Sequence, residues 1–236
     1  MRWLRPFLLS TLLLAAAPAM AQARIIGNRA GRALGLAMLL ALTSVQLHAQ
    51  APGGTKATSA LDRGMQAAAS GDMALAAGYF RTAAEAGDAL AQFNLGRLHE
   101  AGAGVPRDGA EAARFHRMAA DQGFAPAQAA LARMLWRGTA VPMNPREAMR
   151  LARAAADQGE PEGFAVLGIL YFNGQGTPRN MIEAWYWLSL VERHHPDPQQ
   201  RAWAEASRRR AANSLSLDQI AATRQRVEAY RMPVAR

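Results

Sequence analysis

Few residues in this 236-residue chain have the types and spacing that catalysis requires. The chain contains no cysteine, which excludes disulfide bonds, iron–sulfur clusters, thiolate zinc sites and cysteine nucleophiles. A serine nucleophile needs a base and an orienting group beside it, and no Gly-x-Ser-x-Gly motif occurs. Lys56 is the only lysine and Gly53 stands three positions before it, so there is no Ser-x-x-Lys motif. The sequence therefore predicts no catalytic residue.

The histidines are the next candidates, because imidazole and carboxylate groups bind zinc or nickel. His194, His195 and Asp197 lie close together in the sequence. Adjacent histidines project apart, however, and no third ligand follows at a fixed spacing, which favours loop residues without a metal. His99 is predicted to pack at a tyrosine-like position of its helix, and His116 to lie on the surface. We expect no metal site and no cofactor.

Two short glycine motifs, Gly102-Ala103-Gly104 and Gly174-Gln175-Gly176, are similar to phosphate-binding loops. Neither follows a predicted strand, neither has a third glycine, and a proline follows each motif two residues later. Both occur at the period of a longer repeat, which favours turns between helices.

An internal repeat of 36 residues dominates the body of the chain. Successive segments end at Gly87, Gly123 and Gly159, and a shortened copy precedes the first of these glycines. The same register aligns Leu95, Leu131 and Leu167; Gly102, Gly138 and Gly174; Pro106, Pro142 and Pro178; and Glu111, Glu147 and Glu183. Self-similarity of this kind is typical of helical solenoids.

Each unit is predicted to contain two antiparallel helices, A and B. In the first full copy, helix A covers about 90–101, with apolar residues at i, i+4 and i+7. Asp108 is predicted to cap helix B, which runs to about residue 122. One such pair cannot bury both of its faces, so stacked copies must form the core.

The residues of this unit also carry a family resemblance. The pattern Ala-x-Ala-Gln-x-x-Leu-Gly-x-Leu is followed by Gly-x-Gly-Val-x-x-Asp and then by Glu-Ala-x-x-Phe-x-x-x-Ala-Ala-Asp-Gln-Gly. It resembles the Sel-1-like repeats, relatives of the tetratricopeptide repeats, over about residues 61–191. His99 and Leu135 depart from the pattern by replacing a tyrosine that Tyr171 keeps, and Ala140 replaces the second loop glycine.

The resemblance implies an all-α, right-handed α-solenoid of helix-turn-helix repeats. A partial copy is expected at 60–88, full copies at 89–124, 125–160 and 161–193, and two capping helices at 194–236. It also implies a non-catalytic interaction or scaffold module that binds a protein or peptide on the concave surface of the A helices. Cysteine-rich members of the family have been linked to β-lactams. A periplasmic hydrolase of β-lactams or cell-wall fragments is therefore an alternative, although this chain lacks those cysteines.

One stripe of helix A changes its residues between copies while it keeps the spacing i, i+4 and i+7. Its members are Phe93, Arg97 and Glu100 in the first full copy, Ala129, Arg133 and Trp136 in the second, and Ala165, Ile169 and Phe172 in the third. Such variation is expected of a partner surface, with neutral drift at solvent positions as the alternative. Large aromatic residues are seldom exposed without use, which favours partner binding.

The sequence Trp185-Tyr186-Trp187 adds three aromatic residues to helix B of the last copy. Trp187 matches the core position of Phe115 and is predicted to be buried. Trp185 and Tyr186 either cover the last groove beneath the capping helices or contact a partner. We therefore include both with Phe93, Arg97, Glu100, Arg133, Trp136, Ile169 and Phe172 as candidate partner-binding residues.

Residues 1–49 have the composition of export signals. Two segments in tandem each combine arginines, a short apolar run and small residues at a cleavage site. Translation from Met20 would give one well-formed signal, which is the preferred interpretation. Cleavage after Ala21 would instead leave Ala33–Val45 as an apolar tether. We expect a periplasmic or secreted protein, with an inner-membrane-anchored scaffold as the alternative, and a linker at 50–59.

The formal charge of +9 invites a nucleic-acid interpretation, but its distribution argues against one. Residues 1–49 hold five arginines and no acidic residue, whereas residues 50–191 are neutral overall. The remaining excess lies in residues 192–236, with nine arginines against five acidic residues. We therefore expect a protein or peptide partner, no nucleic acid, and membrane contact only through the signal unless 33–45 is retained.

Overall fold

The computed structural model describes residues 59–233, and every regular secondary-structure element in that part is an α-helix. They are α1 (Ala60–Ala69), α2 (Met73–Glu85), α3 (Ala89–Ala101), α4 (Gly109–Asp121), α5 (Ala125–Arg137), α6 (Pro145–Asp157), α7 (Pro161–Asn173), α8 (Met181–His194), α9 (Pro198–Ala212) and α10 (Leu217–Ala229). Helices α1 to α8 form four pairs, each packed on the next, and α9 and α10 both pack against α8. This confirms the predicted all-α solenoid.

Several predictions concern residues outside the described part of the chain. They are the export segments within 1–49, the start at Met20, the Ala33–Val45 tether and residues 50–58 of the linker. No helix within residues 59–233 has both the length and the apolar character needed to cross a membrane.

Most helices begin where a side chain accepts hydrogen bonds from the otherwise unpaired backbone N–H groups of the first turn. Asp108 Oδ1 accepts from the N–H groups of Ala110 and Glu111 at 2.9 and 3.0 Å. Ser216 and Gln219 form a reciprocal capping box at the start of α10. The Asp108 cap confirms the prediction, and both caps depend on residues that lie close together in the sequence.

The second loop position of each repeat has left-handed backbone geometry. Gly104 and Gly176 have φ angles of 71° and 75°, and Ala140 has a φ of 66° in the second full copy. The Ala140 methyl group faces Gly109, where an added Cβ would lie 2.2 Å from it. Gly104 and Gly176 instead face Met73 and Pro145, which occupy the position of Gly109 in their own repeats. In all three repeats, the contact between this loop position and the first residue of the preceding B helix thus contains at least one glycine.

This contact predicts that Gly109→Ala destabilises the protein by roughly 1–3 kcal/mol, the usual cost of overpacking. In an Ala140→Gly background the same substitution is expected to be neutral or stabilising, because the pair then matches the arrangement in the other two full copies. Urea unfolding of both single variants and the double variant measures the coupling. Additive effects of the two substitutions would contradict the proposed contact.

The close approach of helices A and B depends on small residues opposite large ones. A Cβ on Gly96 would lie 2.7 Å from His116 Cε1, and a Cβ on Gly168 would lie 2.9 Å from Leu188 Cγ. His116 is therefore fully buried, and its prediction as a surface residue was wrong. Its neighbour Phe115 is buried as predicted, so the helix buries two adjacent side chains at this point.

Glutamines connect successive repeats through hydrogen bonds across the core. Gln92 Nε2 donates to the carbonyl oxygen of Ala84 at 3.1 Å, and Gln122 Nε2 donates to Gln92 Oε1 at 2.8 Å. Gln128 and Gln158 repeat this arrangement one copy later. The bonds satisfy polar groups that stacking would otherwise leave unpaired.

An aromatic cluster replaces the glutamine bonds where the solenoid meets its C-terminal helices. Phe164 and His194 occupy the equivalent positions in the third full copy. Tyr230 packs on both rings, with centroid distances of 5.7 Å to Phe164 and 5.8 Å to His194. Tyr230 directly follows α10, so the C-terminal helices cover the core at the end of the last repeat.

Candidate partner-binding surface

The variable stripe lies on α3, α5 and α7, and its members differ in burial. Ala129 and Ala165 are buried, whereas Phe93, Arg97, Glu100, Arg133, Trp136, Ile169 and Phe172 are half-buried. No member is fully exposed, so the contacts of each side chain determine which residues a partner could reach.

Charged side chains from successive repeats form an ion network along the first part of the stripe. Glu100 Oε2 lies 3.3 Å from His116 Nε2, and Glu100 Oε1 lies 3.1 Å from Arg133 Nη2. Arg133 Nε lies 3.2 Å from Glu162 Oε1, and Glu162 Oε2 lies 3.7 Å from His195 Nε2. We call these five residues the ion ladder. It joins three repeats and the C-terminal end of α8.

The ion ladder holds Glu100 in its ionised form. Burial by itself would raise the pKa of Glu100, but hydrogen bonds and charges from His116 and Arg133 lower it to about 2. The pKa of Glu162 is also lowered, because His195 and Arg133 outweigh the opposing effect of burial. Both carboxylates thus have partners within the molecule.

Phe93 and Arg97 are engaged close by. The Phe93 ring packs 5.5 Å from the rings of both His116 and Phe124, and the Arg97 guanidinium carbon lies 5.8 Å from the Phe93 centroid. Burial lowers the pKa of Arg97. The predicted residues Phe93, Arg97, Glu100 and Arg133 therefore contact their own neighbours, which leaves less of this part of the stripe for a partner.

The second part of the stripe opens into an apolar groove. Trp136 from α5 and Ile169 and Phe172 from α7 form one side, and Trp203 from α9 faces them. Gly168, Leu188, Asn173, Ser207 and Arg210 complete a cavity of about 250 Å³, which we call the α7–α9 groove. The structure thus brings three predicted residues together at one site.

Polar groups surround the aromatic residues of this groove. Trp136 Nε1 donates a 2.9 Å hydrogen bond to Gln175 Oε1, which fixes the indole. The Arg137 guanidinium carbon lies 5.4 Å from the Trp136 ring. Those of Arg179 and Arg210 each lie 5.8 Å from the Phe172 ring. The site therefore combines aromatic surfaces with positive charge.

Trp185 and Tyr186 lie outside this groove. Trp185 is only 3% exposed, and the Arg208 guanidinium of α9 lies 5.2 Å from its ring. Tyr186 is half-buried beneath Arg226 of α10, at 4.4 Å. Of the two alternatives for these residues, the structure has them covered by the capping helices. Trp185 is therefore a poor partner contact because its side chain is inaccessible.

His99 lines a second cavity, of about 410 Å³, on the B-helix side. Its ring stacks on Phe115 at 5.9 Å, and the side chain is buried as predicted. Glu111 and Arg114 at the rim already pair with each other. Within residues 59–233, no group of three histidine, cysteine or carboxylate side chains is placed to hold a metal ion.

Sequence reasoning missed how the capping helix contributes to the groove. Trp203 and Arg210 are not among the residues that the sequence predicts to bind a partner, although both line the groove. The signal available was the position of α9 directly after the last B helix, where a further A helix would lie. Because α9 lacks the repeat pattern, its register against Phe172 could not be read from the sequence.

Comparison with known families identifies the repeats. The Sel1 repeat family model matches residues 63–88, 89–124, 125–160 and 165–190, together just over half of the chain. The chain belongs to the Sel1 repeat family. Sel1 repeat proteins generally mediate protein–protein interaction and are typically non-catalytic scaffolds. A search of curated proteins finds no significant match.

Solved structures of other Sel1 repeat proteins share this fold. A Sel1 repeat protein from Oxalobacter formigenes is 29% identical, with a TM-score of 0.57, over 65% of this chain and 59% of that one. The protective antigen c5321 of uropathogenic Escherichia coli, which displays an SLR fold, is 28% identical, with a TM-score of 0.55. That match covers 67% of this chain and 38% of the antigen, so the chain spans less than two thirds of either protein.

Proposed function

We propose that this Sel1 repeat protein is a non-catalytic, exported interaction module of the bacterial cell envelope. It binds a protein or peptide on the concave surface of its A helices. The observation that carries the proposal is the α7–α9 groove, where Trp136, Ile169 and Phe172 converge. Aromatic side chains in such grooves contribute a large share of binding energy in protein interfaces.

The groove supports peptide binding better than small-molecule binding. Its volume of about 250 Å³ falls below the roughly 300–1,000 Å³ of pockets that enclose drug-sized ligands. It also remains open between α7 and α9, so a chain could pass across it while one side chain enters. Export rests on the composition of residues 1–49, with their arginines, apolar runs and small-residue cleavage sites.

An unbiased peptide-display selection against the purified protein tests this proposal. Selected peptides are expected to lose about tenfold or more in affinity for Trp136→Ala and for Phe172→Ala, because each removes a hot-spot-sized aromatic contact. Leu75→Ala is the matched control, since Leu75 is an exposed apolar residue on the B helix α2. Circular dichroism verifies that each variant is folded.

The opposing outcomes are distinct for the two parts of the proposal. If the selected peptides bound both groove variants as tightly as they bind the original protein, the proposed binding surface would be wrong. N-terminal sequencing of the protein recovered from the cell envelope tests export separately: we expect a start near Gln50. A start just after Ala21 would instead favour the tethered scaffold, and recovery only from the cytoplasm would argue against export.

A further inference from the structure

We propose that the α7–α9 groove recognises a peptide segment of another protein in which a large apolar side chain is flanked by acidic residues. The inference rests on the proposed binding surface and adds the chemistry of its partner. The apolar side chain occupies the space between Phe172 and Trp203, and the acidic side chains pair with the arginines beside it.

The first argument concerns Arg210, whose charge is not balanced in the way that those of its two neighbours on α9 are. Arg208 pairs with Glu192 at 2.8 Å, and Arg209 pairs with Glu205. Arg210, the next residue, has no ion pair among the residues that the structure describes. Its Nη2 donates instead to Ser207 Oγ at 2.9 Å, which holds the guanidinium at the groove.

Two further arginines extend this positive rim. Arg137 and Arg179 are exposed beside Trp136 and Phe172, and within residues 59–233 neither lies within 4 Å of a carboxylate oxygen. Arg137 helps to lower the pKa of Glu162, so part of its charge is offset within the molecule. Arg179 and Arg210, together with the remaining charge of Arg137, create a local positive potential beside the apolar cavity that favours an acidic segment. The ion ladder differs in this respect, because its carboxylates already neutralise Arg133.

The composition of the chain argues that the segment comes from another molecule. Residues 1–58 contain no aspartate or glutamate, so they cannot supply the carboxylates. The size of the cavity, about 250 Å³, suits one large side chain rather than a folded domain. The acidic and apolar groups must therefore lie within a few residues of each other in an extended segment.

Binding of three capped peptides tests the partner chemistry. The first has one phenylalanine flanked by aspartates, the second replaces the aspartates with asparagines, and the third replaces the phenylalanine with glycine. We expect the first peptide to bind at least about fivefold more tightly than either of the others, and increasing salt to weaken it selectively. Fluorescence anisotropy of the labelled peptides measures all three.

Charge-matched variants locate the effect. Arg210→Gln is expected to weaken binding of the aspartate-flanked peptide about fivefold and to weaken binding of the asparagine-flanked peptide clearly less. Arg224→Gln is the control, because Arg224 is exposed on α10 outside the groove. Trp136→Ala is expected to weaken the binding of both phenylalanine-containing peptides.

Three outcomes would overturn the inference. Equal affinity for aspartate- and asparagine-flanked peptides, with Trp136→Ala still weakening both, would remove the acidic requirement and leave the proposed binding surface standing. No binding of any phenylalanine peptide, together with displayed peptides that ignore the groove, would remove both. Dimerisation that Trp136→Ala abolishes, measured by sedimentation, would identify a second copy of the chain as the occupant.

Discussion

Arg133→Met is expected to lower the free energy of unfolding by about 2–4 kcal/mol, because two partly buried carboxylates lose their arginine partner and each keeps only a histidine. Arg133 contacts both oxygens of Glu100, at 3.1 and 3.2 Å, and Glu162 at 3.2 Å. Its side chain is only 27% exposed, so water replaces these contacts poorly. Urea unfolding followed by circular dichroism measures the change.

Arg150→Met is the matched control for the loss of an arginine. Arg150 makes two hydrogen bonds to Glu147 within α6, but its side chain is 64% exposed. Exposed pairs of this kind contribute about 0.3–0.5 kcal/mol on helices. If the two variants were equally stable, the ion ladder would have no more stabilising effect than a surface pair.

The pH dependence gives an independent check on the ladder. The pKa of Glu100 lies near 2 instead of its ordinary 4.5, so its ionised form stabilises the folded state. This stabilisation is complete above the ordinary pKa and is lost as the pH falls toward 2. The stability difference between the original protein and Arg133→Met is therefore expected to shrink between about pH 7 and pH 3. A difference independent of pH would contradict this.

Gly176→Ala is expected to cost roughly 3 kcal/mol or more, since it combines backbone strain with a clash against backbone atoms. An added Cβ would lie 2.5 Å from the Pro145 carbonyl oxygen and 2.7 Å from its carbon. These atoms belong to the first turn of α6 and cannot rotate away. Urea unfolding compares the variant with the original protein.

Gly123→Ala separates the two contributions to that cost. Gly123 has a φ of 83°, but an added Cβ there would have no neighbour within 4 Å. We therefore expect only the left-handed strain, about 1–2 kcal/mol. Equal losses for Gly123→Ala and Gly176→Ala would mean that contact between the loop and the preceding B helix has no energetic role.

Local sequence features were sufficient to predict much of this fold. The Asp108 cap depends on residues that are neighbours in the chain, and the 36-residue register follows from aligning the sequence with itself. The same register selected Trp136, Ile169 and Phe172, because it showed which positions of helix A vary between copies. Composition also separated the basic segment 1–49 from the neutral repeat body.

Only the tertiary structure decided how the variable stripe divides into two parts. Glu100 and Arg133 lie 33 residues apart, and Trp136 and Gln175 lie 39 apart, so neither contact follows from helical periodicity. Burial of His116 likewise depends on the missing side chain of Gly96 on another helix. Periodicity determines which face a residue occupies, whereas the shape and charge of facing helices determine whether that face is paired or open to a partner.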